Sequence, residues 1–431
     1  MAERVLLFGS TGVDKETVVA NMLGCDDIGK LQQPDVLTVD FEKEYVLPST
    51  SHGEFHDYLD ALDEKQQDQW NRAWTKFRRR LSSKKYKDQH VILSLHGVLA
   101  RPIYGIRTPV LITSLVQGFK PTRVVTLIDD VYLMWYRTEK RAKAINGNGN
   151  PLDGYDYVGR PSLYELLAAR RAELFFGDVV ARNCKLKSSA QNIILGVQHP
   201  ARVLWRLLFA PQDVMPVYLS FPISGPRRRF RKSKGKDVSG FAEVNQFLRH
   251  TAAFERSHPQ FTFLCPLAID ELPLEGTFKA SSKTRKHVKF HLTRRWNVRD
   301  FYGHDEKLLC DDSQTPKYIN LEREHLEKAI ASIRPDVMCR DYRLVLQSRR
   351  LVVFNPWFEG EETKGVRNEI TCALFHNIPV RIYQDPSHDP SGQAESELRP
   401  KPGILGGKPG AQRIRFHKSV EELLDGLTET L

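Results

Sequence analysis

The sharpest chemical signal in this chain is Gly9-Ser10-Thr11-Gly12-Val13-Asp14-Lys15-Glu16-Thr17, set between the apolar run Arg4–Phe8 and a helix-prone stretch, Lys15–Leu23. Glycines let backbone amides curl toward an anion, a helix N-terminus adds positive partial charge, and a lysine at this spacing reaches the β- and γ-phosphates. Gly9, Gly12, Lys15 and Thr17 therefore read as a phosphate-binding loop. Asp14 departs from the pattern, because a carboxylate beside a triphosphate is unfavourable unless it points away or meets Mg²⁺. The loop predicts binding of ATP or another nucleotide with Mg²⁺. The alternative is a degenerate loop that keeps the fold without ATP.

Such a loop needs a strand before it and a helix after it, and the rest of the chain supplies the matching scaffold. Val36–Phe41, His90–Leu95, Arg123–Ile128 and Asn192–Leu195 read as further strands. His90–Leu95 is apolar enough to be buried on both faces. Helices fill the intervals: Phe55–Lys84, with Tyr58, Leu59, Leu62, Trp70, Trp74 and Phe77 as its inner face, then Tyr132–Ala144, Ser162–Arg182 and Pro200–Phe209. The pattern restarts at Met215, with strands Val217–Phe221, Phe261–Leu264, Leu351–Asn355 and Val380–Tyr383. Helices are expected at Phe241–Arg256, Asn320–Ile333, Tyr342–Leu346, Val366–Phe375 and Val420–Leu427. Residues 275–318 read as a polar, basic insertion, and Asp385–Gly410 as a Pro/Gly-rich linker. Strands alternating with helices predict an α/β fold of two domains, each a mainly parallel sheet flanked by helices. The expected boundaries are 1–210, 214–390 and a linker with a terminal helix at 391–431.

Composition narrows the class. A chain of 431 residues suits two domains, and 41% hydrophobic with 10% aromatic residues excludes wholesale disorder. No apolar run reaches a membrane span, the N-terminus reads as a first strand and not a signal peptide, and the six scattered cysteines suit a reducing cytoplasm. The cysteines and histidines show no metal-ligand spacing, so no metal site is expected. The net charge of +11 is concentrated in Arg227–Lys236 and Ser281–Arg295. Both runs would attract phosphate on a nucleotide or a nucleic-acid backbone, or serve as solvated basic loops.

The loop at Gly9–Thr17 resembles that of adenylate-kinase-like nucleotide and nucleoside kinases. The resemblance implies arginines for phosphoryl transfer on the following helices, at Arg137, Arg141, Arg170 and Arg171, and an acceptor contact at Arg101. Asp129 and Asp130 would serve Mg²⁺ or cap the next helix.

The region Val217–Tyr383 resembles the nucleoside 2-deoxyribosyltransferase family, including its 2′-deoxynucleoside 5′-phosphate N-hydrolase branch. Four features carry the likeness: Val217-Tyr218-Leu219-Ser220 leading into Phe221-Pro222-Ile223-Ser224-Gly225-Pro226-Arg227; Arg340-Asp341-Tyr342; the strand Leu351–Phe354; and Gly365-Val366-Arg367-Asn368-Glu369-Ile370-Thr371-Cys372-Ala373 before Ile378-Pro379-Val380. The resemblance implies Glu369 as nucleophile at C1′ of a nucleoside, Asp341 as its partner, and Tyr218 orienting Glu369. Ser224, Gly225 and Arg227 would hold a 5′-phosphate. It also implies a homo-oligomer, because relatives complete their sites across subunits. The chain departs from the family at Arg349 and Arg350, where an aspartate is common, and at Phe221-Pro222, where glycine is usual.

Taken together, these features predict a nucleotide-handling enzyme. Its C-terminal domain would cleave or transfer an N-glycosidic bond, and its N-terminal domain would bind ATP or a related nucleotide. Two alternatives stay open: a catalytically degenerate nucleotide sensor or nucleic-acid-binding regulator, and a nucleoside or nucleotide kinase.

Overall fold

The computed structural model describes residues 2–25, 35–49, 58, 63–86, 88–101, 105–108, 112–145, 161–184, 186, 192–210, 213–234, 236–281, 284–291, 298–303, 305–310, 316–398 and 414–429. The side chains of residues 49, 100–101 and 141–145 lie outside that description. The chain is α/β and forms two compact units, one of Met1–Phe209, Ile269–Leu292 and Lys307–Asp336, the other of Ala210–Ala268, Thr293–Glu306 and Val337–Leu431. Among the described residues no helix is long and apolar enough to cross a membrane.

In the first unit, β1 (Arg4–Gly9), β2 (Val36–Asp40), β3 (His90–Leu95), β6 (Arg123–Ile128) and β7 (Asn192–Gly196) form a parallel sheet in the order β2-β3-β1-β6-β7. A short antiparallel hairpin, β4 (Leu99–Arg101) and β5 (Gly105–Arg107), follows β3. β1 is central, with Leu6 registered between Leu93 and Val124, and its apolar residues are buried on both faces. The helix Asp63–Leu81 places Trp70, Ala73, Trp74 and Phe77 on one stripe. That stripe closes over Phe41, whose ring lies 4.8 Å from Trp70 and 5.7 Å from Phe77. Tyr58 is buried there as well, while the expected contacts Leu59 and Leu62 lie outside the described residues.

Residues 275–318, expected as an insertion or loop, carry structure. A helix spans Leu272–Ala280, and β10 (His287–His291) pairs antiparallel with β11 (Tyr318–Glu322). Val288 and Phe290 alternate with His287, Lys289 and His291, so the period of two was present but masked by the charge between the apolar positions. The helix expected at Asn320–Ile333 and the piece at Tyr342–Leu346 are one helix, Arg323–Leu346, running through Pro335. Proline there removes a backbone donor at a cost of ~3 kcal/mol. Buried Leu326, Ala329, Ile333, Leu344 and Val345 on either side supply apolar contact that offsets it.

The second unit has a parallel sheet of β8 (Met215–Ser220), β9 (Phe261–Leu264), β12 (Arg350–Phe354), β15 (Val380–Tyr383) and β16 (Ile414–His417) in the order β16-β15-β12-β8-β9. A hairpin of β13 (Trp357–Phe358) and β14 (Glu361–Glu362) follows β12. β16 lies in a region expected to lack strands; it is only four residues long and carries Arg415 and His417, which weakens its apolar signal. The basic run after β8, expected as a loop, is the helix Ser224–Lys232.

Strand order fixes where ligands can sit. From β8 the chain crosses to β9 on one side, and from β12 to β15 on the other, so a crevice opens beyond the carboxyl ends of β8 and β12. The first unit has the same feature between β1 and β6, whose successors lie at opposite edges.

A buried ion pair ties Ile269–Leu292 into the first unit. Arg170 donates to Glu271 at 2.7 and 3.0 Å and to the carbonyl of Asp129 at 2.8 Å, while Glu271 accepts the amide of Val131 at 2.7 Å. Both side chains are essentially inaccessible. Replacing Glu271 with alanine removes the bidentate partner of the buried guanidinium, and we expect chemical denaturation to show a loss of ~3–5 kcal/mol. A loss under ~1 kcal/mol would show that the pair is dispensable.

Candidate functional site

The loop after β1 has the expected strand–turn–helix setting. Gly12 adopts φ +90°, and a Cβ there would lie 2.6 Å from the carbonyl oxygen of Met134, so both conformation and space require glycine. The helix Lys15–Leu23 begins directly after it. Asp14 has a definite role: its carboxylate accepts the Thr17 amide at 3.2 Å and caps this helix. The residue that breaks the phosphate-loop pattern thus occupies an amide that a phosphate would otherwise engage.

Lys15 is buried, and its ammonium contacts the carbonyl of Gly9 at 3.3 Å and His96 Nε2 at 2.9 Å. His96 follows β3 and meets Glu42, in the helical turn after β2, through Nδ1 at 2.5 Å and its backbone amide at 2.7 Å. Burial pushes the Glu42 carboxyl up, but contact with His96 and the charge of Lys15 outweigh it, leaving Glu42 below the ordinary carboxylate range. Glu173, fully buried, accepts the amides of Gly97 and Val98 at 2.9 and 2.6 Å. Burial raises it to about 7 against those hydrogen bonds and Lys15.

Of the arginines expected around the loop, Arg137 reaches it, donating to the carbonyl of Gly12 at 2.9 Å and pairing with Asp129 at 2.6 Å. Arg170 is engaged by Glu271, and Arg171 pairs with Asp336. The side chains of Arg141 and Arg101 lie outside the described residues. Asp129 accepts the Asp130 amide at 2.7 Å, Asp130 accepts the Asp270 amide at 2.6 Å, and Glu271 takes the Val131 amide.

The fit to a nucleotide is divided. The hydroxyls of Ser10 and Thr11 are buried in the loop without a hydrogen-bond partner among the described residues, which suits phosphate oxygens. Asp129, one of the two carboxylates expected to serve Mg²⁺ or cap the helix, pairs with Arg137 and accepts the Asp130 amide. The loop therefore fits a phosphate group, while Asp129 already meets a cation from its own chain. Among the described residues no cluster of three or more His, Cys, Asp or Glu side chains is placed to hold a metal.

In the second unit, three elements converge on Glu369. Tyr218 and Ser220 lie two apart on β8 and so share a face. The Tyr218 hydroxyl donates to Oε1 of Glu369 at 2.9 Å, and the Ser220 hydroxyl donates to Oε2. Glu369 is carried by the helix Lys364–Phe375 and is buried. Asp341, on the helix Arg323–Leu346, is buried beside Arg340, which donates to its Oδ1 through Nε at 2.9 Å and Nη2 at 2.7 Å. Burial and then the charge of Asp341 push Glu369 up to about 8, against the two hydroxyl donors and Arg340. Asp341 is also raised, by burial, with Arg340 opposing. Tyr218 stands well above the ordinary phenol range because of burial and the two carboxylates.

The expected phosphate group of this site takes a defined form. Ser224 and Gly225 open the helix Ser224–Lys232, with Ser224 exposed and Arg227 half-buried one turn in. A Cβ on Gly225 would come within 2.6 Å of the Phe358 ring, so glycine permits that helix to seat on β13. The neighbouring basic charges are partly neutralised, Arg228 by Glu361 at 2.7 Å and Arg229 by Glu359 at 2.5 Å. The turn Asp385–Pro390, at the start of the expected linker, buries His388 and Asp389. His388 stacks on Phe358 at 4.4 Å and meets Glu243 at 2.5 Å.

Sequence reasoning missed His96, Glu42 and Glu173 in the first unit, and Ser220 and Arg340 in the second. Ser220 was accessible from the period of two with Tyr218. Glu42 and Glu173 carry no local signature, because their partners lie 54 and 76 residues away. No protein-family model matches the chain, and no curated protein matches it.

Holding Glu369 in this setting costs stability. Its folded pKa of about 8 exceeds the ordinary 4.5, so the contribution it makes when protonated is lost as pH rises between those values. Replacing Glu369 with glutamine should leave Tm nearly unchanged at pH 4 and raise it by pH 8, by ~2–4 °C for each kcal/mol relieved. Equal Tm shifts at both pH values in a thermal scan would show that the carboxyl is not strained by burial.

Proposed function

We propose that the C-terminal unit cleaves or transfers the N-glycosidic bond of a nucleoside or nucleotide, and that the N-terminal unit binds the phosphates of ATP or a related nucleotide. The observation that carries this reading is the Glu369 carboxylate, bracketed by the Tyr218 and Ser220 hydroxyls beside Asp341, at the carboxyl end of β8 where the sheet's crevice opens.

An attacking carboxylate must be ionised and held. The two hydroxyl donors favour the ionised form of Glu369 and aim it. Its oxygen attacks C1′ as the C1′–N bond breaks, giving a glycosyl ester and a departing base. Asp341, a carboxylate steadied by two bonds from Arg340, offsets the positive charge that builds at C1′, and the departing base takes its proton from water. Water or a second base then attacks C1′ and restores Glu369. The amides that open the helix Ser224–Lys232, with Arg227, bind a 5′-phosphate on the substrate. A homo-oligomer accompanies this reading.

In the first unit, bound ATP would supply phosphates to Lys15, the loop amides and the hydroxyls of Ser10 and Thr11. Asp14 on the Thr17 amide and Lys15 against His96 favour nucleotide sensing over phosphoryl transfer in this unit.

Chromatography of a nucleoside and nucleotide panel, with and without ATP, tests the reading. Wild-type protein should release free base, and Glu369→Ala should lower that rate by at least ~10³-fold. Because the nucleophile must be ionised, kcat/KM should rise about tenfold per pH unit below pH 8 and level off above it. Base release at the wild-type rate by Glu369→Ala would remove Glu369 from the chemistry.

A further inference from the structure

A group of arginines in the second unit is left over by the chemistry at Glu369. Arg381 on β15 is registered directly beside Arg415 on β16. Arg381 also aligns with Val352, which lies two residues after Arg350 on β12, so Arg350, Arg381 and Arg415 share one face of the sheet. His417, two residues beyond Arg415, belongs to the same face.

Arg381 is only 2% exposed, and Arg350 is also buried. Burial, followed by the charges of Arg350 and Arg415, pushes Arg381 down to about 10, and burial and Arg415 lower Arg350 as well. Such a cluster normally carries matching anions, because an unpaired buried guanidinium is strongly disfavoured. Glu429 lies 2.8 Å from Arg415 and 3.7 Å from Arg381, and is itself largely exposed. Glu422 stands 3.9 Å from His417. Arg350 spends its donors on the carbonyls of Leu427 at 2.5 Å and Glu429 at 3.2 Å. Arg381 Nη1 meets His417 Nε2 at 3.3 Å, and its Nη2 is buried without a hydrogen-bond partner among the described residues. A Cβ on Gly426 would come within 2.6 Å of Arg381 Nη1, so the chain backs directly onto this guanidinium.

We infer that Arg381, Arg415 and His417 form a binding site for a phosphate group, in which the Glu429 carboxylate stands in when the ligand is absent. Planar guanidinium forks match phosphate oxygens, and a dianion would satisfy the buried Nη2 donor that Glu429 leaves unmet. Arg415, about half exposed, gives the anion a route from solvent. The site lies on β15 and β16, away from the strand that carries Tyr218 and Ser220, and is independent of the reading at Glu369.

The test is calorimetric titration of the full chain with inorganic phosphate and, separately, methyl phosphate, in chloride buffer of matched ionic strength. Lys15→Ala is carried throughout to remove the phosphate loop as a competitor. We expect binding that Glu429→Gln tightens several-fold and that Arg415→Ala weakens about tenfold or more. Arg381→Met should weaken it likewise. Arg415 is exposed enough that its loss should leave the fold intact, which keeps the test valid if the Arg381 variant fails to fold. Binding of both ligands assigns the phosphoryl group itself, and binding of methyl phosphate alone assigns a phosphomonoester. Absence of binding in both the parent and the Glu429→Gln protein would overturn the site, as would unchanged affinity in Arg415→Ala.

Discussion

Two carboxyl groups buried within each other's field are an expensive arrangement, and the second unit is organised around that constraint. Glu369 and Asp341 each gain by being protonated, yet both are held by donors that favour charge. Tyr218 and Ser220 come from the strand at one side of the crevice, and Arg340 from the helix that also carries Asp341. Removing Tyr218 and Ser220 would raise Glu369 further, and removing Arg340 would raise both groups.

The first unit resolves a similar tension by another route. Lys15 is a buried cation whose neighbours include Glu42 and Glu173, and His96 is interposed between Lys15 and Glu42. Glu42 stays ionised because the histidine and lysine contacts outweigh its burial, while Glu173, which lacks such a close cation, is pushed to about 7. Within the loop, the buried hydroxyls of Ser10 and Thr11 have no hydrogen-bond partner among the described residues. A phosphate arriving there would have to draw Lys15 from His96, so phosphate binding would compete with the Lys15–His96 contact.

Much of this was legible in the sequence, and the reasons for the rest are physical. Apolar runs buried on both faces announce their strands, so β1, β3, β6, β8, β9, β12 and β15 could be read directly, as could the Trp70–Phe77 stripe. β10, β11 and β16 were hidden because charged residues alternate with, or interrupt, short apolar positions. The two helical pieces read at Asn320–Ile333 and Tyr342–Leu346 are one helix because it continues through Pro335. The Tyr218–Glu369 contact was expected only through family likeness, since 151 residues separate the partners. Asp14 illustrates the limit of a motif: the sequence shows the departure, and only the fold shows the carboxylate capping Thr17.

Attack of Glu369 on C1′ is tested most directly by rapid-quench peptide mass spectrometry of protein incubated with a nucleoside whose 2′ position carries fluorine, which slows breakdown of a glycosyl ester. A glycosyl adduct is expected on the peptide that contains Glu369, absent in Glu369→Gln. Free base released with no adduct at Glu369, or an adduct that persists in Glu369→Gln, would contradict it.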